Sequence, residues 1–170
     1  MKIPILYILV GVGFAGKSTL AKNVVERLDI TLVSQDALFF EKKKELNLIE
    51  DDDEMWRMLL NMCQQRIKEL MTGGKSVVFD NVNLKRAHRD ELRKIAKEAN
   101  GKAVVIYLDT PEELLNKRQD RNKISRERHD VKQEYLDDAK RQFEIPTAKE
   151  DVYVFTPETD LDNFINKLPK

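Results

Sequence analysis

The sequence predicts an α/β protein, a parallel sheet of five strands flanked by helices in three layers. Two observations predict it. Short apolar runs alternate with longer charged, amphipathic stretches, the rhythm of strands joined by crossover helices. The first apolar run also passes directly into a glycine-rich loop that opens a helix. Expected strands are Ile5–Val10, Ile30–Val33, Ser76–Phe79, Ala103–Leu108 and Val152–Phe155. Each is rich in Val, Ile or Leu, as strands buried on both faces are. Helices are expected at Lys17–Leu28, Ala37–Leu46, Glu54–Met71, Arg86–Ala99, Pro111–Arg121, Val131–Phe143 and Leu161–Lys167.

End signals support several of these. Thr110-Pro111-Glu112-Glu113 reads as an N-cap, a proline at the first helical position and a capping-box glutamate. Asp51-Asp52-Asp53-Glu54 places negative charge at a helix start, where it offsets the macrodipole, and that reading outweighs a metal site. Gly73-Gly74 ends the long helix and turns the chain into the third strand.

At 170 residues the chain fits a single domain, 1–170, with a real core. Thirty basic and thirty acidic side chains cancel, so no global field draws the protein to nucleic acid or anionic lipid. One cysteine, Cys63, allows no internal disulfide, and no Cys/His cluster has zinc-ligand spacing. A reducing, cytoplasmic location is expected, with no obligate protein partner. The apolar run Ile5–Val10 is too short to span a membrane and lacks a cleavage signal, so a buried strand is the expectation.

The segment Gly11-Val12-Gly13-Phe14-Ala15-Gly16-Lys17-Ser18-Thr19 satisfies G-x-x-x-x-G-K-[ST] between a strand and a helix. Glycines let backbone N–H groups curl around phosphates, and the helix N-terminus adds a dipole that favours anions. Lys17 reaches β- and γ-phosphates, Ser18 ligates Mg²⁺, and Thr19 supports the α-phosphate. The same stretch spells G-x-G-x-x-G, with Asp36 near where a ribose-binding acid would fall. Lys17-Ser18-Thr19 has no role in that dinucleotide turn, and the length leaves little room for a substrate domain. ATP and Mg²⁺ are the expected cofactors, in a P-loop NTPase fold of nucleoside-kinase-like type.

Ligands of open α/β sheets gather at the carboxyl ends of the strands. Asp36 follows the second strand, placed to take a hydroxyl proton and orient the oxygen for in-line attack; an N-cap role before Ala37 is compatible. Asp80 ends the third strand as an acid for Mg²⁺, against a turn role shared with Asn81 and Asn83. The run Lys117–Asp130 is polar between two helices and reads as a mobile lid, with Arg118 and Arg121 the best candidates to meet the phosphates. His88 and His129 lack partners of triad type and read as surface. Met55, Trp56, Met58 and Met62 have helical spacing and read as core or acceptor-pocket wall.

The phosphate loop, Asp36, Val77-Val78-Phe79-Asp80-Asn81-Val82-Asn83, Arg118-x-x-Arg121 and Gln142-Phe143-Glu144-Ile145-Pro146-Thr147-x-x-Glu150 together resemble the kinase domain of polynucleotide 5′-hydroxyl kinases. More broadly they resemble the group that includes zeta-toxin and chloramphenicol phosphotransferase-type enzymes. The resemblance covers nearly the whole chain. It implies Lys17 and Ser18 at the phosphates, Asp36 as general base, Asp80 near Mg²⁺ and acceptor, Arg121 as lid arginine, and Thr156-Pro157 near adenine. The sequence departs from the phage enzyme of this type at Phe39, where an arginine would hold the acceptor's phosphate. An apolar patch at Leu38-Phe39-Phe40 suits a small molecule at least as well as a nucleic acid. Lys85, Arg86, Arg89, Arg93 and Lys94 could make a basic face beside the acceptor end, though a solvated helix surface is the commoner reading of such a run. The expected reaction is γ-phosphate transfer to a hydroxyl on a polynucleotide end, with a small molecule (nucleoside, sugar or antibiotic) as the alternative acceptor. A nucleotide-dependent switch fares worst, because Asn122-Lys123-Ile124-Ser125 lacks the acid of a guanine-reading motif.

Overall fold

Strand β1 (Ile5–Val10) is buried at every position, because it lies at the centre of a parallel sheet with helices on both faces. In the computed structural model, which describes residues 3–48, 52–126 and 131–170, the chain adds α1 (Lys17–Leu28), β2 (Thr31–Ser34), α2 (Gln35–Leu46) and α3 (Asp53–Thr72). There follow β3 (Val77–Asp80), α4 (Arg86–Glu98), β4 (Lys102–Leu108), α5 (Glu112–Ser125), α6 (Gln133–Arg141), β5 (Val152–Phe155) and α7 (Leu161–Lys167). The five strands run in the order β2-β3-β1-β4-β5, all parallel. The chain leaves β1 in one direction for β2 and β3, then crosses to β4 on the other side. That reversal opens a crevice at the carboxyl end of β1.

The pleat of β1 sorts the core into two layers. Ile5, Tyr7 and Leu9 face α1 and α7, meeting Leu20, Ala21, Val24, Phe164 and Ile165. Leu6, Ile8 and Val10 face α3 and α4, meeting Cys63, Ile67, Met71, Leu92 and Ala96. Truncating a fully buried side chain such as Ile67 to Ala would cost about 2–5 kcal/mol. Among the described residues, no helix is long and apolar enough to cross a membrane.

Several helix ends follow local chemistry, and two that depart from the sequence reading bear on the site. Asp52 caps α3 by accepting from the N–H groups of Glu54 and Met55, which gives the acid run its structural reading; Asp51 lies outside the described residues. Gly74 takes a positive φ of 77° after α3, as the Gly73-Gly74 pair predicts. The first exception is α2, expected to begin at Ala37 with Asp36 as its cap. It begins at Gln35, and Ser34 is the capping side chain, accepting from Ala37 N. Asp36 therefore lies in the first turn of the helix.

The second exception is α5. Thr110 forms no cap; Pro111 occupies the cap position, and the Thr110 hydroxyl donates to Ala15 O at 3.1 Å. From sequence the helix ends at Arg121 and a polar lid loop begins at Lys117. Instead the helix continues to Ser125. Its Lys, Arg and Gln are good helix formers even without apolar neighbours, and a Lys123–Asp120 pair at 2.9 Å adds a little. The first half of the expected lid is thus helical, and its residues 127–130, His129 included, lie outside the described residues. Helix α6 is shorter at both ends than the expected 131–143.

Candidate active site

The loop between β1 and α1 has the backbone of an anion cradle. Phe14 and Gly16 take positive φ values of 64° and 104°; a side chain is disfavoured at such angles, which explains glycine at position 16. Gly16 is also the N-cap of α1 and supplies no side-chain bond, and the first turn of that helix carries no acid. Its leading N–H groups and dipole are therefore presented to the loop without a competing carboxylate. Ser18 lies in this first turn. Lys17 Nζ folds back along the loop, donating to Gly11 O at 2.8 Å and Val12 O at 2.9 Å.

Three neighbours hold the cradle in shape. Arg118, from α5, donates through Nη1 to Phe14 O and Ala15 O, both at 2.9 Å. Thr110 adds the bond to Ala15 O described above. On the far side α6 closes in so tightly that a Cβ on Gly13 would lie 2.5 Å from Leu136 Cδ2. A side chain there would have to displace the Leu136 methyl.

The carboxylates arrive through strand register. Ser34 pairs with Asp80 across β2 and β3, so both strands end together and Asp36 follows two residues later. Ile8 pairs with Phe79, which places Asp80 one step on, beside Leu9 and just below the loop. Asp80 is buried; Asp36 is exposed. The thiol of Cys63 on α3 feels the charge of Asp36, so α3 packs beneath the turn that carries it.

A cleft of about 380 Å³ opens on the other side of the loop, lined by Phe14, Gly16, Thr19, Asn23, Leu108, Arg118, Arg121, Asn122, Phe155 and Leu161 among others. Arg118 and Arg121 both border it. Thr156 and Pro157 belong to the turn between the lining residues Phe155 and Leu161; Thr156 is braced there by Thr159, whose Oγ1 accepts from Thr156 N at 2.9 Å.

Some sequence expectations are corrected here. The basic face on α4 loses two members. Arg89 is 0% exposed, and Arg93 is bonded to Asp90 and Glu150. A signal was present: Arg89 precedes Leu92 and Ala96 at the three- and seven-residue spacing of a buried stripe. Phe39 is 1% exposed, stacked on Trp56 with ring centroids 5.0 Å apart, and so is core between α2 and α3 rather than an open acceptor wall. Met55 joins it, whereas Met58 and Met62 are exposed. His88 is exposed, as expected. Thr110, read from sequence as a helix cap, braces the loop instead, and Asn23, Asn122, Phe155 and Leu161 line the cleft without a local signal for that role.

A phosphate loop at a switch-point crevice, an acid ending β3, a second in the first turn of α2, and arginines bordering the cleft beside the loop define an ATP-dependent P-loop kinase. Residues 6–146 match the model of a family described as an AAA domain, AAA_33, and the chain belongs to that family. It is 31% identical over 150 residues to a protein named Probable gluconokinase from Schizosaccharomyces pombe, a stretch covering 85% of this chain and 75% of that one. Two solved structures share the fold. A protein from Chloroflexus aurantiacus superposes with a TM-score of 0.81 at 15% identity, covering 97% of this chain and 96% of that one. A gluconokinase from Sinorhizobium meliloti 1021 does so with a TM-score of 0.66 at 21% identity, covering 98% and 90%.

Proposed function

We propose that the protein transfers the γ-phosphate of ATP to a hydroxyl of a small polyhydroxy molecule, a sugar or sugar acid of the gluconate kind. The observation that carries the acceptor class is the 31% identity to the fission-yeast protein named a gluconokinase. The burial of Arg89 and the pairing of Arg93 argue the same way, because they remove much of the positive surface that a polynucleotide end would need.

In this reading, backbone N–H groups of Gly13–Gly16 and the Lys17 ammonium hold the β- and γ-phosphates, with Thr19 at the α-phosphate. The nucleoside occupies the cleft beside Asn23, Phe155 and Leu161, with the Thr156-Pro157 turn near the base. Mg²⁺ is bound by one or two carboxylates together with phosphate oxygens, and Asp80 with the Ser18 hydroxyl is a donor set of that kind. When bound, the ion draws negative charge off the phosphoryl group. Asp36 accepts the acceptor's hydroxyl proton as its oxygen forms the bond to Pγ. The bond from Pγ to the bridging oxygen breaks, and ADP leaves with that electron pair. Arg121, and Arg118 once it turns from the loop, stabilise the charge on the transferring group.

The test is ADP release by the purified chain with ATP and Mg²⁺, offered gluconate, neutral sugars, nucleosides, or an oligonucleotide with a 5′-hydroxyl. The expected result is turnover with gluconate or a close relative, and a phosphate monoester detected by mass spectrometry. A phosphorylated oligonucleotide beside inert small molecules would overturn the small-acceptor reading and restore the polynucleotide one.

A further inference from the structure

The segment Phe143–Glu150 follows α6 and does not line the cleft, yet it grips α4 twice. Glu144 Oε2 accepts from Arg86 N at 2.7 Å, capping from 58 positions away a helix whose own cap residue, Lys85, provides no side-chain bond. Glu150 accepts a fork from Arg89, Nε at 2.7 Å and Nη2 at 3.1 Å. It also receives Thr147 N at 3.0 Å and the guanidinium of Arg93.

The remaining nitrogen of Arg89 points onward. Nη1 donates to Asn83 O at 3.0 Å and Leu84 O at 2.9 Å. Asn83, held at a positive φ of 48°, donates through Nδ2 to Leu9 O at 2.8 Å. Gly11 N in turn donates to Val82 O at 3.3 Å. A buried polar chain thus runs from Glu150 through Arg89 and Asn83 to the last residues of β1, and it encloses the turn that leaves Asp80.

Energetics argue against stability as the main purpose of this chain. Arg89 and Glu150 are 0% and 2% exposed. Desolvating such a pair consumes most of its Coulombic gain, so an apolar pair of like volume would serve the core as well or better. What apolar residues lack is direction: a guanidinium fixes two carbonyls and a carboxylate in one plane.

We propose that Arg89, Glu150 and Asn83 are positioning residues for Asp80, locking the 80–84 turn against the phosphate loop so that the Asp80 carboxylate is held for metal-nucleotide binding. This rests on the reading of Asp80 as the Mg²⁺-facing acid. The test measures ATP affinity by calorimetry with and without MgCl₂, so that the gain due to Mg²⁺ is the readout and no acceptor is needed. Asp80→Asn should erase most of that gain. Asn83→Gly keeps the positive φ and removes only the side-chain bonds; it should cut the gain by about fivefold or more, with ATP affinity in the absence of Mg²⁺ little changed. Arg89→Lys, which keeps charge but loses the fork, should act likewise where it folds. A folded Asn83→Gly protein with the full gain, beside an Asp80→Asn protein without it, would overturn the positioning role alone. A full gain in Asp80→Asn would overturn the metal reading of Asp80 and the positioning role with it.

Discussion

The Thr110 hydroxyl donates to the Ala15 carbonyl at 3.1 Å, joining the turn between β4 and α5 to the middle of the phosphate loop. Arg118 Nη1 reaches the same carbonyl at 2.9 Å. Two donors from one β4–α5 unit therefore set the plane of a single peptide in the cradle. Losing either should cost about 1 kcal/mol in loop order. Thr110→Val and Arg118→Met are each expected to raise KM for ATP severalfold, and Arg118→Met to lower kcat as well. Because they share an acceptor, the double variant should fall short of the product of the two effects, with a coupling of about 0.5–3 kcal/mol. Steady-state kinetics of the four proteins give that number, and strict additivity would show the two donors to be independent.

Lys17 spans two loop carbonyls, Gly11 O and Val12 O, so its ammonium is already positioned over the cradle. Lys17→Ala removes those bonds and the charge proposed to meet the phosphates. The expected loss is about 10²–10³ in kcat. Asp36→Asn, isosteric and on an exposed first turn, should leave circular dichroism and melting temperature near those of the parent while lowering kcat by about 10²–10⁴. Near-normal turnover by the folded Asp36→Asn protein would remove the general-base assignment.

The parts of this architecture legible in sequence are those with local causes. β1, β5, α1 and α7 begin and end as expected because apolar runs, glycines and caps lie inside each element. The cradle's motif is legible for the same reason, since its glycines, Lys17 and Ser18 all lie within residues 11–19, although Thr110 and Arg118 brace it from outside. What the sequence hides depends on partners far along the chain. Thr110 has the spacing of a capping box, but its acceptor is 95 positions away. Arg89 looks like one charge in a charged run, and only Glu150, 61 positions on, makes its burial tolerable. Phe39 reads as a patch until Trp56 covers it. The Phe143–Glu150 segment points by resemblance to polynucleotide kinases, yet its carboxylates bind α4.

Cys63 is 1% exposed on the inner face of α3. Burial, with the negative charge of Asp36 adding to it, pushes its thiol up to about 11. Each unit above the usual value removes a factor of ten in thiolate, so the native protein at pH 8 should react with a disulfide reagent at least ~100-fold more slowly than the unfolded chain. Bound ATP should slow it further by suppressing opening. Rapid modification of the native protein would mean that α3 is less firmly seated than its packing indicates.

Glu150 gives the fold an acid-sensitive point. Burial alone would raise its pKa, but hydrogen bonds from Arg89, Thr147 N and Arg93, with the charge of Arg89, bring it down to about 2 from a usual 4.5. A carboxylate with a depressed folded-state pKa stabilises fully above its unfolded value. That stability, about 3 kcal/mol here, is lost as pH falls from about 5 towards 2. Glu150→Gln lacks the titrating group and leaves Arg89 buried beside a neutral amide, so it should be several kcal/mol less stable at pH 7. The gap between the two proteins should narrow steadily below pH 5, as the parent's carboxyl takes up its proton. Urea unfolding midpoints of both proteins from pH 7 to pH 3 measure this. A gap that stays constant across that range would show that Glu150 is not the carboxylate whose protonation loosens the α4 clamp.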